Sequence, residues 1–254
     1  MGYRLLITGG TSQIAMALAA RQAALGRDVT VTASKEEGVE PLRRRYAEAR
    51  IPAAVVAFDL DPAVPYGRAL QELLGSGVDA LVLNAAPPVK RFRRVHQFPA
   101  KEIDEALSLN VVGNFRLLQA VLPGMAQRRF GRLVFVSSAM VQQAASRHAL
   151  YALTKSAVES LFTSVAIEYA AKNVFANVVR PGIIRTERTR RFWKNPEYLE
   201  RAQRLIPAGA LGRPEQVAEA FDPLLSETSY LNGSVLTVGG GLPILNLAGV
   251  GGEP

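Results

Sequence analysis

Arg4-Leu5-Leu6-Ile7-Thr8-Gly9-Gly10-Thr11-Ser12-Gln13-Ile14-Ala15 joins a short apolar run to a glycine turn and the start of a helix-forming segment. A short run of leucine and β-branched residues ends in two glycines, and the chain from Gln13 to Ala24 is rich in helix formers. The run is too short for a helix and too continuously apolar for a half-wet strand, so it predicts a strand buried on both faces. The glycines then turn the chain into a helix whose first amides and positive dipole end suit a phosphate. Taken alone, such a turn is no more than a reversal of the chain. Its surroundings decide.

Working outward, the same unit recurs along the whole sequence. Strand candidates are Arg4 to Thr8, Val29 to Ala33, Ala54 to Phe58, Ala80 to Leu83, Leu133 to Val136, Ala176 to Val179 and Val235 to Val238. Helical stretches separate them, notably Gln13 to Ala24, Glu40 to Ala49, Lys101 to Leu122, Tyr151 to Ala171 and Pro214 to Leu225. Buried strands alternating with helices predict a doubly wound parallel α/β sheet of about seven strands, covered by helices on both faces. No Pro/Gly/Ser-rich linker divides the chain, so a single domain over residues 1–254 is expected. An irregular piece, 185–212, is long enough to be a lid over a site. The Gly-rich stretch from Gly239 to Pro254 reads as a tail or a subunit contact.

Composition narrows the chemistry. The 254 residues contain no cysteine, which removes disulfides, thiolate nucleophiles and cysteine-based metal sites. His96 and His148 stand apart from carboxylates at ligand spacing, so no metal is expected. The net charge of +8 comes from dispersed clusters: Arg43 to Arg45, Lys90 to Arg94, Arg128 to Arg132 and Arg185 to Arg191. No nucleic-acid module accompanies them, and they read as solvated faces rather than a nucleic-acid surface. No apolar run reaches bilayer length and the start lacks a secretory signal, so no membrane association and a cytoplasmic location are expected.

Two hydroxyl-bearing stretches suggest acid–base work. Tyr151-Ala152-Leu153-Thr154-Lys155 puts a phenol and an ammonium four residues apart, on one face of the predicted helix. A phenol is a poor proton carrier at neutral pH unless a nearby positive charge stabilises its anion. A bare Tyr-x-x-x-Lys is often only helix surface. Here a buried strand, Leu133 to Val136, ends in Ser137-Ser138, and Ser138 stands thirteen positions before Tyr151. Either serine could reach a substrate oxygen. At the end of the second strand, Thr32-Ala33-Ser34-Lys35 offers no acid until Glu36. A dinucleotide's ribose 2′-hydroxyl is normally held there by an acid, so Ser34 and Lys35 favour a 2′-phosphate, that is, NADP(H) over NAD(H).

These segments, in this order, resemble the short-chain dehydrogenase/reductases, whose fold is a Rossmann-type sheet. Thr8 to Ala15 is similar to their Thr-Gly-x-x-x-Gly-x-Gly turn, with Gln13 and Ala15 in place of two glycines. Leu83-Asn84-Ala85-Ala86 resembles Asn-Asn-Ala-Gly, and Pro181-Gly182-Ile183-Ile184-Arg185-Thr186 matches Pro-Gly-x-x-x-Thr. Gly212 to Val217 and Gly233 to Gly241 resemble the closing helix and last strand, so the likeness runs from Leu5 to about Gly241. Among the two serines, the family's spacing favours Ser138.

The resemblance implies four catalytic residues, Asn110, Ser138, Tyr151 and Lys155, with Asn110 holding a water that relays protons to Lys155. Asn114 is read as a helix-surface residue. It implies a cofactor site built from Gly9, Thr11, Ser12, Gln13, Ile14, Ser34, Lys35, Asp59, Leu60, Asn84, Ala85, Tyr151, Lys155, Pro181, Ile184 and Thr186. Of these, Asp59 would contact adenine, while Ile184 and Thr186 would hold the nicotinamide carboxamide. The implied activity interconverts a ketone and a secondary alcohol. The substrate is a small carbonyl or alcohol, carried on an acyl carrier if Arg128, Arg129 and Lys172 are docking residues as in 3-oxoacyl-[acyl-carrier-protein] reductases. A homo-oligomer, tetramer or dimer, is expected. The alternative is a cofactor-binding regulator weak in catalysis, suggested by Gln13, Ala15 and Ala86.

Overall fold

The computed structural model describes residues 2–87, 93–143 and 145–242. The tail from 243 onward, Pro88, and the cluster's Lys90 and Arg91 lie outside the described residues. Strands β1 (Arg4–Ile7), β2 (Asp28–Ala33), β3 (Ala54–Ala57), β4 (Ala80–Leu83), β5 (Gly131–Val136), β6 (Val174–Pro181) and β7 (Val235–Val238) form one sheet. Every pairing is parallel, in the order β3-β2-β1-β4-β5-β6-β7. The direction of strand addition reverses between β1 and β4. In open parallel sheets, ligands bind at the carboxyl ends of the strands flanking such a reversal.

Alternation along each strand feeds two cores. Leu5, Ile7, Val31, Val82, Val134, Val136 and Val179 face one layer, containing α1 (Gln13–Ala24) and α2 (Val39–Glu48). Leu6, Leu81, Leu83, Leu133, Phe135 and Val178 face the other. There they meet α3 (Arg68–Ser76), α5 (Gly113–Arg128) and α6 (Ala149–Glu168). Each fully buried leucine or valine contributes about 1.5–3 kcal/mol. A strand buried on both faces therefore tolerates few polar residues, which is why the apolar runs were readable as strands.

The helices depart from the sequence reading in three places. The stretch Lys101 to Leu122 is not one helix. α4 (Ala100–Leu107) passes through a π turn at Ser108–Val112 before α5 begins, so one extra residue is accommodated around Asn110. Pro214 to Leu225 is likewise divided, into α9 (Pro214–Glu219) and α10 (Asp222–Leu225). Pro223 lacks an N–H and its ring would clash with the Glu219 carbonyl of a continuous helix. The piece 185–212 is not irregular: it holds a 3-10 turn at Glu187–Thr189, α7 (Arg190–Lys194) and α8 (Pro196–Leu205). Asn195 caps α8 by accepting from the Glu197 N–H at 2.9 Å, and Arg201–Glu197 and Arg204–Glu200 pairs line its wet face.

One basic residue is also misplaced by composition alone. Arg132, read as part of a solvated cluster, is 1% exposed at the start of β5. Its guanidinium donates to the carbonyls of Ser226 at 3.0 Å, Asn173 at 3.0 Å and Glu227 at 2.7 Å. It also packs 4.6 Å from the centroids of Phe130 and Phe175. Five donors in a planar fork let arginine satisfy a ring of orphan carbonyls that lysine could not.

Candidate active site

The turn after β1 is braced from three sides. Gly9 has φ +71°, and a Cβ there would lie 2.8 Å from the Ala85 Cα, so only glycine fits. The Asn84 Nδ2 donates to the carbonyls of Thr8 at 2.9 Å and Gly9 at 3.1 Å. The Thr8 hydroxyl accepts from the N–H groups of Asn84 and Ala85, each at 3.0 Å. From α2, the buried Tyr46 hydroxyl donates to the Gly10 carbonyl at 2.9 Å, and Arg45 donates to the Thr11 carbonyl at 3.0 Å. Sequence reasoning missed Tyr46 and Arg45. An aromatic on the inner face of a charged helix was the available signal for the first, and nothing marked the second.

Ser12 caps α1 by accepting from the Ala15 N–H at 3.0 Å. The N–H groups of Gln13 and Ile14 point out of the first turn without intrahelical partners. A turn of this shape, with exposed amides and a helix dipole behind it, fits a pyrophosphate. Gln13 is the discordant member. Its side-chain Oε1 accepts from the Glu187 N–H at 3.3 Å, which ties the turn to the segment expected as a lid. Ser34 and Lys35 lie exposed just past β2. Asp59 follows β3 and accepts from the Asp61 N–H at 2.9 Å, and Leu60 beside it is buried.

The second half of the site gathers on β5, α6 and the π turn. Ser137 and Ser138 follow β5, and their hydroxyls do different things. The Ser137 hydroxyl is buried and donates to Glu159. The Ser138 Oγ accepts from the Met140 N–H at 3.2 Å, which leaves its own proton available. Geometry thus separates two serines that residue type alone left open. Tyr151 lies in the first turn of α6, half-buried, and its phenol has no hydrogen-bond partner among the described residues. Lys155 is buried one turn on. Its Nζ donates to the Val136 carbonyl at 2.8 Å and sits 4.7 Å from the Phe135 ring centroid.

Asn110 occupies the π turn, buried, with its Nδ2 donating to the Ala106 carbonyl at 3.1 Å. Asn114 is not a surface residue as expected. It is 1% exposed, its Nδ2 donates to the Asn110 carbonyl at 2.7 Å, and its Oδ1 has no partner among the described residues. Pro181, which ends β6, and Ile184 beyond it are buried. The Thr186 N–H donates to the Thr189 hydroxyl at 3.0 Å, and its carbonyl accepts from the Trp193 indole at 2.9 Å. The Ile184 carbonyl accepts from the Thr189 hydroxyl. From the same segment Arg188 reaches across to the Ala86 carbonyl at 2.8 Å.

Burial pushes the Lys155 ammonium down to about 7, helped by the charge of Arg188 and opposed by the Glu159 carboxylate. Unfolding returns the group to its ordinary value of 10.5. Between those pH values the unfolded chain holds a proton that the folded chain lacks, so this group makes stability rise with pH across that window. Lys155→Met should therefore be more stable than wild type at pH 7, with the advantage shrinking as pH rises towards 10. Denaturant midpoints of both proteins at pH 7, 8, 9 and 10 check this, and a difference independent of pH would contradict it.

Comparison with known proteins places this arrangement among relatives. Residues 9–243 match the family model described as Enoyl-(Acyl carrier protein) reductase. The chain is 31% identical over 241 residues to a 3-oxoacyl-[acyl-carrier-protein] reductase of Aquifex aeolicus, covering 93% of this chain and 96% of that one. It is 29% identical to the gluconate 5-dehydrogenase of Gluconobacter oxydans, covering 96% and 95%. Its fold superimposes on a gluconate 5-dehydrogenase from Burkholderia cenocepacia, in complex with NADP and tartrate, with TM-score 0.84, 27% identity and 96% coverage of both chains. An NADP-bound 3-oxoacyl (acyl-carrier-protein) reductase from Agrobacterium tumefaciens gives TM-score 0.83 at 28% identity, covering 94% and 93%.

Proposed function

The chain belongs to the short-chain dehydrogenase/reductase family, oxidoreductases that act on CH–OH groups, and from that premise we propose an NADP(H)-dependent interconversion of a ketone and a secondary alcohol. When bound, the nicotinamide supplies or accepts a hydride at the substrate carbon. Ser138 and Tyr151 hydrogen-bond the substrate oxygen, and Tyr151 delivers or removes its proton. Lys155 holds positive charge one turn from the phenol and binds ribose hydroxyls. Negative charge brought to the turn after β1 by a bound dinucleotide would favour the charged form of Lys155 against burial and Arg188. Asn110 orders a water on the path from Lys155 to solvent.

The observation that carries this reading is the division of labour after β5. Ser137 is consumed by Glu159, while the Ser138 hydroxyl and the Tyr151 phenol have no acceptor among the described residues, and Lys155, one helical turn after Tyr151, is fastened to the end of β5. The pyrophosphate is assigned to the amides of Thr11, Gln13 and Ile14, with the Ser12 N–H held by the Gly9 carbonyl at 3.2 Å to shape the turn, and Asn84 and Ala85 brace that turn beneath it. Asp59 and Leu60 border the adenine. Pro181, Ile184 and Thr186 shape the nicotinamide end, and segment 185–212 closes over it as a lid. Ser34 and Lys35, both exposed and without an acid at the strand end, support a 2′-phosphate. The NADP-bound relatives support the same choice.

For substrate, 3-oxoacyl thioesters rank first, on the relatives at about a third identity. Arg128, Arg129 and Lys172 are exposed, and docking of an acidic carrier through them belongs to the same reading. The cations on the lid side, Arg185, Arg188, Arg190, Arg191 and Lys194, favour an anionic group on the substrate.

NADPH oxidation with a 3-oxoacyl thioester, a keto-sugar acid and a neutral cyclic ketone tests the reading, with NADH in parallel. Turnover of the anionic ketones with NADPH preferred is expected; no oxidation with any of them would favour a cofactor-binding regulator. Gln13 gives a separate check. Its side chain stands where phosphate approaches and holds Glu187, so Gln13→Gly should tighten NADPH binding roughly three- to tenfold, the worth of one hydrogen bond. Unchanged or weaker binding in a fluorescence titration would misplace the pyrophosphate.

A further inference from the structure

One buried network at the carboxyl end of β5 is left unused by the chemistry above. Glu159, on the turn of α6 after Lys155, is 9% exposed. Its Oε1 accepts from the Ser137 hydroxyl and from the Arg180 Nε at 2.9 Å, and its Oε2 accepts from the Arg180 Nη2 at 2.5 Å. The Arg180 Nη1 extends the chain to the Gln142 Oε1 at 3.3 Å. A buried ion pair is a poor adhesive, because desolvating two charges offsets most of their attraction. What the pair does supply is geometry. A bidentate arginine–carboxylate contact fixes both groups in one plane.

Each member stands next to a residue of the site. Ser137 precedes Ser138, Arg180 precedes Pro181, and Glu159 follows Lys155 by one helical turn. Lys155 itself holds the carbonyl of Val136, the residue before Ser137. Consecutive turns of α6 are therefore fastened to the last residue of β5 and to the residue after it, and the second fastening reaches on to β6. Taking the oxidoreductase reading as given, we propose that Glu159, with Ser137 and Arg180, is a positioning residue. It sets the register between the strand end carrying Ser138, the helix carrying Tyr151 and Lys155, and the turn that leads to Thr186.

The network also acts on charge. Lys155 feels the charge of Glu159 from its own helix and of Arg188 from the lid, and it sits against the Phe135 ring and the Val136 carbonyl of β5; Arg180 pairs with Glu159 behind it, and Tyr151 lies one turn earlier on α6. Glu159 is the carboxylate in that set, and its charge opposes the desolvation of the lysine. Removing it drives the ammonium towards deprotonation at lower pH.

Glu159→Gln tests this, because it keeps an acceptor for Ser137 and the size of the side chain while losing the charge. The expected result is a kcat lower by roughly 10- to 100-fold, as for a misplacement near 1 Å. NADPH affinity should stay within about threefold, and the lysine-dependent limb of the kcat–pH profile should move by about half a unit or more to lower pH. Glu159→Asp should recover part of kcat. A purely structural pair would lower Tm but leave kcat and the pH limb unchanged, and that outcome overturns the proposal. Ser137→Ala, which removes one bond and no charge, should lower kcat without moving the limb; full wild-type kcat there also counts against it. Loss of turnover in wild type would instead condemn the oxidoreductase reading itself.

Discussion

Tyr151→Phe should lower kcat by about 10²- to 10⁴-fold, the contribution of a positioned acid–base group, while NADPH still binds within about threefold of wild type. The change removes one oxygen from a half-buried ring whose hydroxyl has no partner among the described residues, so nothing in the fold depends on it. That is what separates this variant from a destabilising one. Ser138 remains to bind the substrate oxygen, and the turn after β1 lies on other elements, so ground-state binding should survive. A steady-state assay with a binding titration reads both effects. Near-normal turnover would mean that the proton comes from elsewhere.

Gly113→Ala should have the largest effect on stability. Gly113 begins α5, directly after the π turn that carries Asn110, and a Cβ there would lie 2.1 Å from the Leu60 carbonyl oxygen. Backbone stands on both sides of that clash, so no flexible side chain can yield. Overpacking of this kind costs about 1–3 kcal/mol and occasionally more. For a domain of this length, the upper end corresponds to a fall in Tm of about 6–12 °C. Gly124→Ala, in the same helix, is the internal control. Its Cβ would meet only the Arg128 Nη1, at 3.2 Å and at the far end of a long side chain, and the change gains about 1 kcal/mol of helix propensity. Equal melting of the two variants would contradict the close approach of α5 to Leu60. The clash also pushes on the π turn, so residual kcat of Gly113→Ala should fall together with its Tm.

The sheet was legible because its strands are buried on both faces. Leu133 to Val136 or Ala80 to Leu83 can be little else when they alternate with helix-length segments. Tyr151, Lys155 and Ser138 were legible because the chemistry constrains residue type and the helix constrains spacing. Ser137 was not separable from Ser138 in the sequence: the difference lies in Glu159, which reaches it from another element. The π turn was hidden because the apolar pattern continues unbroken from Leu107 to Leu118, and one inserted residue changes the hydrogen bonding without changing that pattern. Asn114 followed the same error, since its burial depends on the extra residue. Arg132 looked like one more surface cation; its burial depends on Phe130, Phe175 and carbonyls from two distant loops. Arg180 with Glu159, and Gln13 with Glu187, are contacts between remote segments that no local signal announces.

Transfer of an isotopic label follows the hydride itself. Wild type should be incubated with NADPH deuterated at the reactive carbon of its nicotinamide and a 3-oxoacyl thioester, and the alcohol analysed by mass spectrometry, with Tyr151→Phe in parallel. The account predicts one deuterium on the carbinol carbon from wild type and little labelled product from the variant in the same time. An unlabelled alcohol, or labelled alcohol formed equally fast by both proteins, would contradict it.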